Sequence, residues 1–346
     1  MQRPIRQLFL LSLTVLVLSS CRRGPSETIP GSNSIYHWKT TFDLDEAERD
    51  FLERHDIERI YLRYFDVDMQ DSNLYIEGPA VPVATTAFKS PKPEGVEIVP
   101  TVFITVNALN SIDGLNDLAQ KIYTRVLNMT DYNDLGPIRE IQLDCDWTSR
   151  SKDSYYALCS MVASLAHSDS ILVSSTIRLH QLGTNPPPVD KGVLMVYNTG
   201  ALRDPRTKNS ILDVNDVRLY LAKKNLHYGL PLDFAFPVYG WGVLFRDGSF
   251  NGIIHSTDYS DRSLYKPRKG GTFIVKKDHM LDGKLLFEGD LIRLEFPSAS
   301  DVDKVERLVM TSLMHSPSDR GIILYHLDTE NLKNFKDNEI SRMYSY

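Results

Sequence analysis

The stretch IREIQLDCDWT (138–148) decides how the rest of the chain is interpreted. Apolar and polar residues alternate along it, which is the two-residue period of a β-strand. Two sets of side chains should point in opposite directions: a polar set of Gln142, Asp144, Asp146 and Thr148, and a more apolar set of Leu143, Cys145 and Trp147. The apolar face is suited to packing against helices. We therefore expect both aspartates to point into the centre of the fold.

Seven other segments also have the pattern of strands, and amphipathic helices separate most of them. The strand candidates are 34–42, 59–68, 96–105, 138–148, 171–182, 192–200, 232–241 and 321–328, and the helical patterns lie at 44–56, 115–129, 154–168, 214–226 and 301–314. Strands that alternate with helices indicate a parallel sheet. Eight such units predict an α/β fold, a (β/α)₈ TIM barrel. A doubly wound open sheet is the alternative, but its usual glycine-rich turn after the first strand is missing.

Two regions depart from the regular repeat. Residues 69–95 are rich in proline, and residues 242–300 form a longer insertion between the seventh and eighth strands. Glycine-containing turns separate short apolar runs in this second region, which predicts a β-rich insertion. We assign residues 34–346 to one barrel domain that includes the insertion 242–300.

The amino terminus has a different character. Two arginines precede the apolar run LFLLSLTVLVLSS (8–20), which is too short to span a bilayer comfortably. The residues LSSC (18–21) resemble a bacterial lipobox, the recognition sequence of lipoprotein signal peptidase. The resemblance implies a signal peptide at 1–20 and a lipid on Cys21, and residues 21–33 read as a flexible tether. We expect a lipid-anchored protein of the bacterial cell envelope, on the outer membrane and facing either the periplasm or the surface. An ordinary secretory signal is the alternative.

Composition and motifs exclude several classes of protein. Hydrophobic residues make up 42% and charged residues 24%, as in ordinary globular proteins. The net charge of −6 and the lack of a basic patch predict no nucleic-acid partner. Beyond Cys21 only Cys145 and Cys159 remain, which we expect to be buried thiols; a disulfide is the alternative. No cofactor motif is present, so we expect no cofactor.

Polar and aromatic residues gather at the carboxyl ends of the predicted strands, where TIM barrels carry their active sites. The set is Trp38, Arg63, Asp66, Asp144, Asp146, Arg178, His180, Tyr197, Asn198, Tyr239, Trp241 and His326. Two adjacent carboxylates are costly to bury unless they share a proton or pair with cations. Arg63 and Arg178 are the candidate partners. We interpret Asp144 and Asp146 as a catalytic acid–base centre; a structural Asp–Arg network that fills the barrel is the alternative.

The aromatic members of this set indicate the ligand. Flat rings beside carboxylates and amides suit sugars, which offer apolar faces and hydroxyl edges. We therefore expect carbohydrate, an oligosaccharide or polysaccharide, as the partner. A metal site made of His37, His180 and His326 with an aspartate is an alternative, but no two of these histidines have a metal-binding spacing.

Two short motifs and the overall layout resemble family 18 of the glycoside hydrolases, which includes chitinases and endo-β-N-acetylglucosaminidases. In that family the fourth strand ends in Asp-x-Asp-x-Glu, and the sixth often carries Met-x-Tyr followed by Asp or Asn. The corresponding runs here are DCDWT (144–148) and MVYN (195–198). The resemblance implies that Asp146 positions an N-acetyl group of the substrate, which acts as the nucleophile, and that Tyr197 assists it.

The resemblance ends at the residue that would protonate the glycosidic oxygen. Thr148 occupies the position of the family's Glu, and a hydroxyl cannot supply that proton at neutral pH. Asp68, His180 and His326 are candidate substitutes. The sequence therefore predicts a glycoside hydrolase-like lipoprotein that acts on or binds carbohydrate. The alternatives are a catalytically inactive glycan-binding protein and a structural envelope lipoprotein with a vestigial cleft.

Overall fold

A computed structural model describes residues 32–69, 80–109, 114–222, 228–313 and 321–345. Eight parallel strands form its centre: β1 (Asn33–His37), β2 (Arg59–Met69), β3 (Glu97–Ile104), β4 (Glu140–Asp144), β5 (Leu172–Arg178), β6 (Lys191–Met195), β7 (Leu232–Pro237) and β8 (Ile322–Tyr325). Each strand pairs with its neighbours in the sequence, and β1 pairs with both β2 and β8. The sheet is therefore closed, which confirms the predicted TIM barrel.

Within the described ranges, seven α-helices accompany the strands. They are α1 (Glu46–Arg54), α2 (Leu115–Tyr132), α3 (Lys152–Ser168), α4 (Val214–Leu221), α5 (Ala299–Ser312), α6 (Thr329–Leu332) and α7 (Asp337–Met343), and short 3₁₀ helices lie at Asn107–Leu109 and Leu179–Gly183. The five predicted helical patterns all correspond to helices. Ser298 caps α5, because its hydroxyl accepts the Asp301 N–H at 3.1 Å. None of the helices in the described ranges has the length and apolar character that a bilayer crossing requires.

A second sheet lies in the chain between β7 and β8. Its five strands are antiparallel: Trp241–Arg246, Ser249–Ile254, Tyr265–Pro267, Thr272–Val275 and Leu291–Glu295. A hairpin of His279–Leu281 and Lys284–Leu286 accompanies it. This sheet has its own small core, which includes Leu244, Tyr259 and Ile292. We call the segment 241–295 the insertion sheet.

Three further short strands flank the barrel. Ala80–Val83 runs antiparallel to β2, and Thr41–Phe42 pairs with Ala87–Phe88. Several predicted strands are too long at their carboxyl ends, since β4 stops at Asp144, β6 at Met195 and β7 at Pro237. Beyond these points the chain leaves the sheet and forms the loops at the barrel rim.

The two faces of β4 point as the alternation predicts. Leu143, Cys145 and Trp147 belong to the large core between barrel and helices. Gln142 faces the barrel interior, where its side-chain carbonyl accepts the Tyr36 hydroxyl at 2.7 Å. Cys145 and Cys159 are both buried and free. The predicted signal peptide at 1–20, Cys21 and most of the tether lie outside the described residues.

The amino end of the barrel contains a buried ion network. Lys191 Nζ lies 2.9 Å from a Glu140 oxygen and 2.7 Å from an Asp233 oxygen. The Tyr61 hydroxyl lies 3.2 Å from the same ammonium, and the Gly321 N–H donates to Asp233 at 2.8 Å. The charges of this network are removed from water inside the barrel, and these partners compensate for the lost hydration. We call Lys191, Glu140 and Asp233 the amino-end triad.

Candidate functional site

A bulge in β2 brings Arg63 and Asp66 to the same face. The pairing with β3 shifts between Arg63 and Phe65, and both Tyr64 and Phe65 pack in the outer core. The extra residue returns Asp66 to the inner face beside Arg63, although their spacing in an ideal strand would separate them. Arg63 Nε donates to Asp66 at 2.8 Å, and its guanidinium lies 5.6 Å from the centre of the Trp38 ring.

Arg178, the last residue of β5, bridges the two predicted catalytic aspartates. Its Nε donates to Asp146 at 2.6 Å and its Nη2 to Asp144 at 3.1 Å. The Asp144 side chain is 5% exposed and also accepts the Thr176 hydroxyl at 2.6 Å, whereas the Asp146 side chain is 63% exposed. Burial raises the pKa of Asp144, and the charge of Arg178 opposes that rise. We call Arg178, Asp144 and Asp146 the carboxyl-end triad.

Thr148 belongs to the turn that leads into α3. Its backbone N–H donates to the Ser151 hydroxyl at 3.0 Å, and its own hydroxyl accepts the Arg150 N–H at 3.3 Å. Exposed Thr148 therefore stabilises a local turn. It presents no acid to the centre of the barrel.

Four tyrosine or tryptophan rings contact Tyr325 at the end of β8. Its ring centroid lies 4.9 Å from that of Tyr197 in a stacked pair, 5.4 Å from Tyr239 and 6.0 Å from Trp38. The fourth of these rings is buried Tyr36, at 5.6 Å. The sequence places Tyr325 at a strand end, but it gives no sign of this central position among the rings.

A cleft of about 650 Å³ at the carboxyl face of the barrel is bordered by Tyr325, Trp38, Tyr197 and Tyr239. Seven predicted site residues line it: Trp38, Arg63, Tyr197, Asn198, Tyr239, Trp241 and His326. An adjoining hollow of about 270 Å³ is lined by three more, Asp146, Arg178 and His180, and it shares Tyr197 and Asn198 with the cleft. Asp144 and Asp66 line neither space, because they lie behind the arginines that they bind.

Asn198 is held in an unusual backbone conformation between these two spaces. Its φ is 55°, in the left-handed region that residues other than glycine seldom adopt. The Tyr239 hydroxyl donates to its side-chain oxygen at 2.7 Å. Strained residues of this kind often occur at functional sites.

Part of the cleft wall comes from regions without a recognisable signal in the sequence. His255, Ser256, Thr257 and Asp258 follow a strand of the insertion sheet, and Glu330 and Asn331 come from α6. Trp241 was expected at the end of the seventh strand, but it begins the first strand of the insertion sheet. The insertion sheet therefore contributes to the cleft together with the barrel.

The candidate substitutes for the missing acid are poorly suited to that role. Burial lowers the pKa of His326 to about 4, and burial and Arg178 lower the pKa of His180. Both rings are therefore neutral at pH 7, when only an imidazolium is an effective proton donor. Asp68 lines neither the cleft nor the hollow, and its carboxylate accepts the Thr105 hydroxyl at 2.6 Å. The alternative metal site has no structural support, since no three His, Cys, Asp or Glu side chains in the described ranges are grouped to hold an ion.

A second space of about 610 Å³ lies outside the barrel, between α2 and the strand Ala80–Val83. Apolar side chains such as Phe65, Leu118 and Ile122 dominate its walls. Lys121 and Arg125 also line it, but no carboxylate does, and it lies away from the carboxyl face, where TIM barrels carry their sites. The cleft is therefore the better candidate site.

Comparison with known proteins agrees with this architecture. No protein-family model matches the chain, and no curated protein matches its sequence. A chitinase from Chromobacterium violaceum superposes with a TM-score of 0.51 at 11% identity, over 91% of this chain and 100% of that one. The spore cortex-lytic enzyme SleL of Bacillus cereus gives 0.50 at 13% identity, over 90% of this chain and 74% of that one.

A third structure contains a sugar. The Group II chitinase catalytic domain 2 of Ostrinia furnacalis, an E2180L mutant in complex with penta-N-acetylchitooctaose, gives a TM-score of 0.50 at 10% identity, over 91% of this chain and 95% of that one. At such identities the likeness establishes the fold. The chain is a TIM barrel with the fold of the family 18 glycoside hydrolases, as its motifs predict.

Proposed function

We propose that this protein binds carbohydrate in the cleft and does not hydrolyse it by the family 18 route. One observation carries the proposal: the position of the family's acid holds Thr148, whose hydroxyl serves the turn before α3. A glycosidic oxygen needs a proton from a group that is still protonated at the working pH. Thr148 cannot supply it, and neither neutral histidine replaces it.

The charges near the aspartates support binding rather than chemistry. In the family mechanism Asp146 would have to orient an N-acetyl group. Here its carboxylate is engaged by Arg178 at 2.6 Å, and Asp144 is buried beneath the same guanidinium. The arginine neutralises much of the negative charge that would have stabilised a cationic transition state. Binding of a carbohydrate in the cleft needs only a complementary shape and polar partners, and it does not depend on that charge.

The aromatic cleft supports a carbohydrate ligand. Trp38, Tyr197 and Trp241 are partly exposed rings in one cleft, and an aromatic face can cover the apolar face of a sugar. The O. furnacalis chitinase domain binds an N-acetylglucosamine oligosaccharide on the same fold. We therefore take N-acetylglucosamine oligosaccharides as the first probe for this chain.

A glycoside hydrolase is the second candidate, because Asp146 lines the hollow beside the cleft and a second carboxylate, Asp144, is bound to the same guanidinium. The test is a panel of bacterial and host glycans with the chain, scored for binding and for release of reducing ends. We expect binding without release. Release that is lost in Asp146→Asn would identify an enzyme. Failure to bind any glycan would favour a structural envelope protein with a vestigial cleft.

We also propose that the protein is anchored in the bacterial cell envelope by a lipid on Cys21, on the basis of the lipobox-like residues 18–21. A lipid on this cysteine would leave the barrel on a flexible tether at the membrane surface. The chain expressed in bacteria should partition into detergent, and Cys21→Ser should leave it in the aqueous phase. Equal partitioning of both forms would contradict the anchor.

A further inference from the structure

Glu295, the last residue of the insertion sheet, is buried and accepts four hydrogen bonds. One oxygen accepts Arg293 Nε at 2.6 Å. The other accepts Trp241 Nε1 at 2.8 Å, the Ser210 N–H at 3.0 Å and the Ser210 hydroxyl at 2.5 Å. Trp241 and Glu295 are directly opposite each other in neighbouring strands, which places the indole N–H within hydrogen-bond distance of the carboxylate.

The residues around Glu295 also hold the loop 199–213, which follows β6. Arg293 donates to the carbonyls of Asp204 at 2.8 Å and Leu202 at 3.1 Å. Asn209 donates to the Phe296 carbonyl at 2.8 Å. The loop is thereby attached to the insertion sheet at several points, and it begins directly after Asn198, which lines both parts of the site.

Glu295 is thus connected to two cleft residues from opposite directions. It binds the Trp241 indole directly, and through Ser210 it fixes the loop 199–213, which follows Asn198. Neither Glu295 nor Arg293 lines the cleft. Buried charged networks of this type hold one geometry, because any rearrangement would leave a charge without partners.

We propose that Glu295 is a positioning residue of the cleft: it keeps Trp241 and the loop 199–213 in the arrangement that receives a glycan. The inference rests on the proposed function, since it assigns Glu295 a role in carbohydrate binding. A role in folding alone would predict loss of stability without a local effect at the cleft.

The test compares Glu295→Gln with Asp290→Asn in the full-length chain in detergent. Asp290 is the matched control: it is a buried carboxylate of the insertion sheet that accepts two bonds from Arg246, at 2.9 and 2.8 Å, and it lines neither part of the site. Hydrogen exchange of the free protein is measured by mass spectrometry. We expect faster exchange in 199–213 and 241–246 for Glu295→Gln, with α2 and α3 unchanged, and no change in 199–213 for Asp290→Asn.

The second measurement is affinity for an N-acetylglucosamine pentasaccharide. Glu295→Gln should weaken it about tenfold, because Trp241 and the loop 199–213 must then be ordered on binding, and Asp290→Asn should not. Trp241→Phe lacks the indole donor, so in that background Glu295→Gln should have a smaller additional effect. If Glu295→Gln does not fold, Ser210→Ala replaces it, with a smaller change in the same direction.

The outcomes separate the two proposals. If the unaltered chain binds no glycan, the proposed function fails, while the exchange data still test the arrangement. Unchanged exchange in 199–213 for a folded variant overturns the role of Glu295, whatever the glycan result. Affinity equal to that of the unaltered chain overturns it as well.

Discussion

At the amino end of the barrel Lys191 bridges Glu140 and Asp233, and at the carboxyl end Arg178 bridges Asp144 and Asp146. The two triads have the same composition, one cation between two carboxylates. They differ in access to water: the Glu140 side chain is fully buried, whereas 63% of the Asp146 side chain is exposed. Charge pairing in a barrel therefore does not by itself distinguish the proposed site from the amino-end triad. The difference is that the carboxyl-end triad has an exposed member beside the cleft.

The largest expected effect separates the two triads by stability. Lys191→Met leaves Glu140 and Asp233 buried without a cation, and should lower the free energy of unfolding by about 3–5 kcal/mol. Arg178→Met should cost less, about 1–2 kcal/mol, because Asp146 stays hydrated and buried Asp144 can take a proton. Urea denaturation at pH 7 measures both. Lys304→Met, which breaks an exposed pair with Asp301, is the control. Equal losses in the two triads would remove the distinction between them.

A buried carboxylate outside the two triads extends the comparison, because Glu306 on α5 is fully buried and neither of its oxygens has a hydrogen-bond partner among the described residues. Burial and Asp303 raise its pKa from 4.5 to about 9, against the effect of Arg307. The folded state thus keeps a proton that the unfolded chain releases near pH 4.5. The free energy of unfolding should fall as pH rises from about 4.5 to about 9.

Glu306→Gln should remove this dependence. At pH 8 the variant should be more stable than the unaltered chain by about 4 kcal/mol, and the difference should shrink to below about 1 kcal/mol at pH 5. Denaturation at several pH values provides the measurement. Glu330→Gln, at an exposed carboxylate, should leave the profile unchanged. A gain that is the same at pH 5 and pH 8 would show that Glu306 does not titrate as described.

A smaller effect tests the aromatic side of the cleft. Trp38→Ala should weaken binding of an N-acetylglucosamine pentasaccharide about tenfold, because it removes a ring that can cover a sugar face. Calorimetric titration measures the affinity. Tyr132→Ala changes a ring that is 89% exposed and does not line the cleft, so its affinity should match that of the unaltered chain. Equal effects of the two substitutions would argue against the cleft as the binding site.

The smallest expected effect concerns Asp146. As an exposed partner of Arg178 it should contribute less than about 1 kcal/mol to stability, so Asp146→Asn should barely shift the urea midpoint. Glu140→Gln makes the same chemical change in the amino-end triad and should cost several times more. A large loss for Asp146→Asn would mean that both triads are structural, as the Asp–Arg network alternative holds.

Local periodicity explains how much of this architecture the sequence predicts. Alternation along 138–148 indicates which side chains of β4 point inwards, because successive side chains of a strand point to opposite faces of the sheet. The repeat of strands and helices predicts the barrel because each element can be recognised from its own short segment of sequence. Ten of the predicted site residues line the cleft or its adjoining hollow, since the carboxyl ends of parallel strands meet at one face.

Other features depend on contacts between distant segments, and no local pattern contains them. The bulge at Tyr64, which brings Asp66 to Arg63, appears only in the pairing of β2 with β3. The contribution of His255 to the cleft follows from how the insertion sheet packs on the barrel. The sequence by itself determined the barrel, the inward direction of the aspartates and the threonine at position 148. Only the tertiary structure decided which carboxylates meet water, because solvent access is set by everything that packs around a side chain.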